Sequence, residues 1–487
     1  MSISRRSFLK AGLSSMTYFS TAATVPMWIA QTAKAFTGLG HPDRVLVIIQ
    51  QAGGNDGLNT VIPYTDPIYT GSVLIGGQEQ RPNLKILEPN LGLTLLGDGL
   101  NAFHPKLIRL KDWYTNGNVS VIQNVGYPNP NLSHFVATDL WEYGTSPGAQ
   151  LSTLQGWISR FFDNQCAGIP PENIDPLTML GAGKDIVPLT LNGSLGYTPP
   201  AVLNFTSYKF DAPANASLNA HHKQGLADVN AFTTADPTID FLQRSANIAQ
   251  ASVDDVATAN LQPTLNPYPT GTLGTGLDIV SKIIRAGFTT KIFYVSQGGY
   301  DTHANQLAGG DPINGGDHPQ LLNEFDLAVD AFLKDMEQSG YLDNVMIMTF
   351  SEFGRRVKEN GSFGTDHGAG NSLFLMGGNV NGGVYGGQPD LADQLNGNLR
   401  HTIDFRAVYS TIIQDWFGAD PEPIFGSADF NDPIFNIQGG MALLPVINNA
   451  LPIPVASTIG NLVGAALTLA AGAYAVRRID RAFTAQD

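Results

Sequence analysis

Residues 44–51 read Arg44-Val45-Leu46-Val47-Ile48-Ile49-Gln50-Gln51, and the next six are Ala52-Gly53-Gly54-Asn55-Asp56-Gly57. The first stretch is an apolar, β-branched run of strand length with no polar alternation. Such a run suits a strand buried on both faces, as in a parallel sheet covered by helices. The second stretch is a polar, glycine-rich loop at that strand's carboxyl end. Working outward, the pattern predicts a helix over 105–114, a second buried strand over 119–125 (VSVIQNV) and a helix over 135–143 opened by Ser133. Residues 168–236 carry Asn, Thr and Pro throughout and are expected to be inserted loops and short strands. Helices are predicted over 237–260 and 276–286, a strand over 291–296, a long helix over 319–338 and a strand over 344–349. A strand over 373–376 follows, then a hairpin around Asn381-Gly382-Gly383 and an amphipathic helix over 406–417. Strands alternating with helices of this length imply an α/β fold with a mostly parallel central sheet and helices on both faces. Ligands of such sheets sit at the carboxyl ends of the strands.

Polar groups gather at those ends. Gly53-Gly54-Asn55-Asp56-Gly57 follows the first strand and Asn131-Leu132-Ser133-His134 the second. Gly298-Gly299-Tyr300-Asp301-Thr302-His303 and Ser351-Glu352-Phe353-Gly354-Arg355 follow two later strands, and Thr365-Asp366-His367-Gly368 precedes another. Carboxylates and imidazoles are natural ligands of divalent zinc or manganese, and carboxylates alone suit magnesium or calcium. The candidate cage is Asp56, Asp301, His303, Glu352 and His367. Ser133, at a helix start, feels the positive end of the dipole, which aids both ionisation and anion binding. Arg355 is a candidate oxyanion clamp, with an ion pair to Glu352 as its alternative. Asp56 equally suits an Asn-Asp-Gly turn, and Ser133 an N-cap. His134 follows Ser133 at about 100° around the helix and is expected to be a packing or hydrogen-bonding neighbour rather than a ligand. His41, His221, His222 and His401 lack such company, and His104 and His318 stay undecided.

The ends of the chain carry addresses. Ser4-Arg5-Arg6-Ser7-Phe8-Leu9-Lys10, a small-residue apolar stretch and Ala33-Lys34-Ala35 have the order of a twin-arginine signal peptide over 1–35. Residues 455–476 carry no charge, follow Pro452 and Pro454, and precede Arg477, Arg478 and Arg481. That segment, within 451–481, is expected to be a membrane anchor with its basic end cytoplasmic, or a sorting tag removed after export. Both place the main domain, 36–440, in the periplasm or at the cell surface. An apolar fraction of 43% fits a sizeable core, and a net charge of −15 with no basic stripe excludes a nucleic-acid partner. A lone cysteine, Cys166, excludes an intrachain disulfide framework.

Taken in order, RVLVIIQQAGGNDGLN, FHPKLIRLKDWYTNGNVSVIQNVGYP, LSHFVATDLWEYG, GGYDTHANQ, FSEFGRR, GTDHGAGN and DFRAVYSTIIQDWFG resemble the bacterial domain-of-unknown-function 1501 family. That family is grouped with the alkaline phosphatase/sulfatase superfamily. The resemblance implies an alkaline-phosphatase-like three-layer sandwich, a two-metal site and a nucleophilic serine or its equivalent. It implies Ser133 as nucleophile, Asp56 on one metal, Asp301 and His303 on the other, and His367-Gly368 as the late His-Gly. Two positions depart: Glu352-Phe353 stands where an Asp-His is usual, and Asp301 and His303 are closer in sequence. These leave one metal, a harder metal or none open. The sulfatase Cys-x-Pro-x-Arg signature is absent. The resemblance thus implies an exported hydrolase of phosphate or related oxyanion esters, acting on a small-molecule ester with a divalent ion, zinc first. The alternative is a non-catalytic surface or assembly protein keeping the pocket for a surface ligand.

Overall fold

The structure, a computed structural model, describes residues 43–145, 155–165, 177–184, 186–192, 199–209, 216–231, 234, 236–425 and 444–448. The expected signal peptide, the expected C-terminal segment and Cys166 lie outside these residues. Among the described residues, no helix is long and apolar enough to cross a membrane.

The main sheet is assembled from β1 (Val45–Gln51), β2 (Val119–Gly126), β3 (Met179–Ala182), β4 (Ala201–Val202), β5 (Ile292–Gln297) and β6 (Val345–Phe350). A small antiparallel pair, β7 (Arg355–Glu359) and β8 (Thr365–His367), stands apart from it. The main sheet is completed by β9 (Asn371–Gly377), β10 (Gly383–Tyr385) and β11 (Ile403–Asp404). The strand order is β10-β2-β9-β6-β1-β5-β3-β4, with β11 also on β2. Every pairing is parallel except those of β9 with β2 and β6. β1 is central and buried along its whole length. Val45, Val47 and Ile49 face one core with α1 (Ile108–Thr115), α6 (Thr272–Arg285) and α7 (Asp317–Gln338). Leu46 and Ile48 face the other, with α2 (His134–Tyr143), α3 (Trp157–Gln165) and α8 (Phe405–Thr411). Alternate residues of a strand point to opposite faces, so a run apolar at every position needs a cover on each side. Each fully buried Val, Leu or Ile contributes about 1.5–3 kcal/mol relative to exposure, which makes β1 the anchor of both layers.

Two expectations fail here. The stretch 168–236 holds the expected short strands, β3 extending the sheet by pairing with β5, but it also holds a helix, α4 (Ala216–Asn230), which leads to α5 (Pro237–Ala259). Met179-Leu180-Gly181-Ala182 has no β-branched residue, and α4 contains Gly225 and shows no apolar stripe, so neither has a periodic signature. The second failure is the hairpin after β9. Gly382 packs on Gly117, where a Cβ would lie 2.7 Å from the Gly117 Cα. The chain thus passes the end of β2, and β10 pairs parallel with it (Gly383↔Ser120) instead of turning back on β9. The predicted helix over 406–417 also changes character, α8 being followed by a π-helical turn, Ile412–Trp416.

The register sets the site. Gln51 lies opposite Gln297, and Gln50 opposite Phe350, so β1, β5 and β6 end level with one another. β9 runs the other way, and its first residue pairs with Val125 near the end of β2. The loops after β1, β2, β5 and β6, and the loop before β9, therefore meet at one edge. Trp141 of α2 stacks on Phe405 at 4.4 Å, and its indole Nε1 donates to the Glu352 carbonyl at 2.9 Å. That contact ties the helix carrying His134 to the loop carrying Glu352.

Candidate metal centre

Gly53 lets the first two loops meet. Its φ is +123°, and a Cβ there would lie 2.3 Å from the Asp301 nitrogen, so only glycine allows the β1 and β5 loops to pack backbone to backbone. Asp301 is thereby held at the centre of the edge. Three imidazoles surround its carboxylate: His134 Nε2 at 3.4 Å from Oδ2, His303 Nε2 at 3.2 Å from Oδ1 and His367 Nε2 at 3.1 Å from Oδ1. One ligand atom each from His134, Asp301 and His367 falls within 4.8 Å of the others. His303 Nε2 lies 2.8 Å from His367 Nε2.

The opposite nitrogen of each ring fixes its tautomer. His134 Nδ1 lies 2.8 Å from Glu352 Oε1, His303 Nδ1 3.3 Å from Asp366 Oδ1, and His367 Nδ1 2.8 Å from the Leu132 carbonyl. Carboxylates and carbonyls accept hydrogen bonds, so each Nδ1 carries the proton. Each neutral ring then turns its Nε2 lone pair toward Asp301. The His303 and His367 lone pairs face one another, and His134 Nε2 is buried without a hydrogen-bond partner. Lone pairs facing lone pairs and a carboxylate repel unless a cation lies among them. The pattern of imidazole Nε2 inward and Nδ1–H on an oxygen is how proteins prepare histidine for a metal. Zinc–ligand bonds of about 2.0–2.1 Å put tetrahedral ligand atoms roughly 3.4 Å apart, close to the separations among these residues. The donor set therefore fits a divalent ion.

The charges agree with that fit. Burial opposes ionisation of Asp301, but the hydrogen bond and the charge of the Arg355 guanidinium outweigh it and help bring its pKa to about 2. Burial lowers the His367 pKa, with the Leu132 hydrogen bond and the neighbouring Asp301 carboxylate pulling the other way, so the neutral ring that can bind a metal is favoured. The Asn360 hydrogen bond lowers the Asp366 pKa, against burial and with help from His303, which keeps the His303 anchor ionised.

Of the sequence-expected residues, Asp301, His303 and His367 meet in the centre. Glu352 stands one step out: it is 2% exposed, and its Oε1 accepts both from Gly53 N–H at 2.8 Å and from His134, so that oxygen is committed to holding the β1 loop and the His134 ring. Asp56 is placed elsewhere. It is fully buried and grips Arg81 through two hydrogen bonds, Nη1 to Oδ2 at 2.6 Å and Nη2 to Oδ1 at 3.0 Å, and it accepts another from Gln306. With its lone pairs committed it is not available as a metal ligand. Arg355 is not a clamp for a substrate oxyanion either. Its buried guanidinium donates to the carbonyls of Gly53, Gly54, Tyr300 and Thr365 and to Asp301 Oδ1 at 2.7 Å. It closes the β1, β5 and β7–β8 loops on one another and pairs with Asp301, not with Glu352. Ser133 is the exposed N-cap residue of α2 with no side-chain capping bond, between Leu132 and His134, both of which serve the centre.

His134 is the hydrogen-bonding neighbour that was expected, through Glu352, and its Nε2 also reaches Asp301 at 3.4 Å, where it could join a ligand set. An angular offset from Ser133 says little in a first turn, because helical side chains lean toward the amino end, and here that end faces the metal edge. Its place right after an N-cap in the loop that follows β2 was the signal available. Arg81 gave none: it lies 25 residues beyond Asp56 in an irregular loop.

Glu352→Ala should weaken metal affinity about 10–100-fold by freeing the His134 ring, and Glu352→Gln, which keeps an acceptor oxygen, should recover much of it. Competition titration against a zinc chelator reads both. Equal affinity for wild type and Glu352→Ala would remove Glu352 from the site.

Comparison with known proteins gives one family match. Residues 282–426 match the family described as "Protein of unknown function (DUF1501)", a stretch that includes Asp301, His303, Glu352, Arg355 and His367 but not His134. No curated protein matches the sequence. Among solved structures, a protein in the alkaline phosphatase superfamily from Vibrio parahaemolyticus is similar with 11% identity and a TM-score of 0.34, over 79% of this chain and 69% of that one. The lipoteichoic acid synthase LtaP from Listeria monocytogenes is similar with 8% identity and a TM-score of 0.30, over 77% and 72%. A phosphonate monoester hydrolase from Silicibacter pomeroyi is similar with 9% identity and a TM-score of 0.32, over 77% and 73%. Likenesses at this level carry no inference about chemistry, which rests on the residues above.

Proposed function

We propose that this chain hydrolyses esters of phosphate or a related oxyanion at a divalent-metal site held by His134, Asp301 and His367, with His303 beside them. The observation that carries the reading is the inward convergence of three imidazole lone pairs on one carboxylate, each ring anchored through its outer nitrogen. The Asp301 and His303 side chains are 47% and 44% exposed, so the centre faces solvent and a substrate can reach it. When bound, the ion supplies Lewis acidity toward an ester oxyanion and lowers the pKa of an attacking hydroxyl. Ser133 offers that hydroxyl, exposed and unused in capping, next in sequence to His134. The amino end of the ten-residue helix α2 favours negative charge beside Ser133. Glu352 and the Leu132 carbonyl hold the outer protons of His134 and His367, keeping both Nε2 atoms directed inward.

The test is metal analysis of the purified chain with turnover of aryl phosphate, phosphodiester and sulfate esters. Ser133→Ala should keep the metal and lose turnover, since nucleophile and cage are separate functions. A chain without metal, or turnover untouched by Ser133→Ala, would reject the reading. A second reading, a non-catalytic surface or assembly protein with a metal-closed pocket, is favoured by the commitment of Arg355 to backbone and Asp301. Metal bound in full with none of the esters turned over would select it.

We also propose that the protein is exported by the twin-arginine route and anchored by its C-terminal segment, on the strength of the sequence at both ends. Protease added to spheroplasts should then degrade the main domain and leave the tail. A released mature protein ending near Leu451 would make the tail a processed sorting signal.

A further inference from the structure

Leu444-Pro445-Val446-Ile447-Asn448 is clipped to the link between β9 and β10. Ile447 forms an antiparallel bridge with Val380. Asn381 N donates to the Val446 carbonyl at 2.8 Å, and Asn448 N to the Asn379 carbonyl at 2.7 Å. The Asn381 side chain donates to the Pro445 carbonyl at 2.8 Å, and that of Asn448 to the Val380 carbonyl at 2.9 Å. Val446 and Ile447 are buried in the core that also holds Trp141 and Phe405. Backbone bonds in both directions and two buried aliphatic side chains make the clip a fixed point of the fold.

The clip lies at the edge opposite the metal centre. β2 and β6 both run against β9, so they start where β9 ends. Gly382 packs on Gly117, just before β2, and the Asn379 side chain donates to the Asp343 carbonyl at 2.7 Å, just before β6. From this edge the eight residues of β2 lead to the loop that carries His134, a rise of about 25 Å.

In sequence, residues 449–454 join Asn448 to the uncharged run 455–476. Fully extended, such a link spans about 20 Å. Turning the metal edge to a bilayer that holds the run would lift the clip off the lipid by the length of the sheet, about 25 Å, plus the loops at the far end. The link is too short for that. The charge agrees. The chain carries −15, which anionic headgroups repel. Around the clip, residues 116–118, 341–344, 377–382 and 444–448 carry one charged side chain, Asp343, and are otherwise mainly asparagine and glycine. This edge is spared the repulsion.

We propose that the edge of the sheet bearing the clip faces the lipid bilayer, and that the metal edge faces away from it and opens to the aqueous space. This rests on the C-terminal anchor reading above. The lipid surface is met by the asparagine-rich loops around Asn381 and Asn448, and solutes reach Asp301 and the imidazoles around it from the far side.

The test uses the full chain in vesicles of phosphatidylethanolamine and phosphatidylglycerol with an acceptor dye on the headgroups. In the Cys166→Ser background, Asn116→Cys and Ser362→Cys each take one donor dye, at exposed positions beside Gly117 and in the β7–β8 loop. Energy transfer to the headgroups should be several-fold stronger from position 116 than from position 362. Asp343→Cys, on the same edge as Asn116, should behave as Asn116→Cys does. Equal transfer from the two edges, or stronger transfer from position 362, in a chain that floats with the vesicles would overturn the orientation and leave the anchor standing. A full chain that does not float with the vesicles would reject the anchor, and the orientation with it.

Discussion

Arg81→Ala should lower the unfolding free energy by about 3–5 kcal/mol at pH 7 and leave the metal content unchanged. Arg81 is buried, and all its donors are used: Nε on the Val357 carbonyl, Nη1 on Asp56 and Asn59, and Nη2 on Asp56 and the Arg356 carbonyl. It thereby joins the loop after β1 to β7. Removing it strands the Asp56 carboxylate where water cannot reach, and a buried unpaired charge is the expensive way to break such a pair. The sign with pH follows. In wild type the balance of burial against Arg81 lowers the Asp56 pKa, so the pair's contribution is present above the ordinary carboxyl range and is lost only as pH falls below it. In the variant, burial without a partner raises that pKa, and protonation relieves the cost. The gap between the proteins should therefore be widest near neutrality and narrow as pH falls toward about 5. Urea unfolding at several pH values measures it. A gap under about 1 kcal/mol at pH 7, the worth of a surface pair, would contradict this account of Asp56.

Asp301→Ala should cost more metal affinity than the about 100-fold that an outer partner is worth, and turnover with it. Asp301 is the anion on which the three Nε2 atoms converge, and without it they are neutral donors with no charge to match the ion. The fold should survive, because Arg355 keeps its carbonyl partners at Gly53, Gly54, Tyr300 and Thr365. Circular dichroism alongside metal analysis separates the two effects. A folded variant that retains a full complement of metal would remove Asp301 from the centre.

The fold was legible where packing imposes a period. β1 is apolar at every position because both its faces are covered, and α7 shows its stripe over 22 residues. Short strands were expected where β3 lies, though its four residues without a β-branched side chain did not mark its place, and α4 escaped because its apolar residues form no stripe. The site was legible at the level of loops, since the ends of β1, β5 and β6 are level and chemistry-bearing residues follow each. Roles were not legible, because they depend on which atom faces inward. Glu352 has the chemistry of a ligand but spends an oxygen on His134 and Gly53. Asp56 has it too, but a distant arginine reaches it first. His134 joined the centre through the lean of a first-turn side chain, which an angular count around the helix does not capture.

His134 also separates this arrangement from the ligand set expected from sequence, so it gives the most direct test. Zinc titration of the full chain, wild type beside His134→Ala, with bound metal counted after removal of excess, should find zinc in the wild type and an empty or strongly weakened site in the variant. Zinc bound equally by both, or by neither, would contradict a metal centre built on His134, Asp301 and His367.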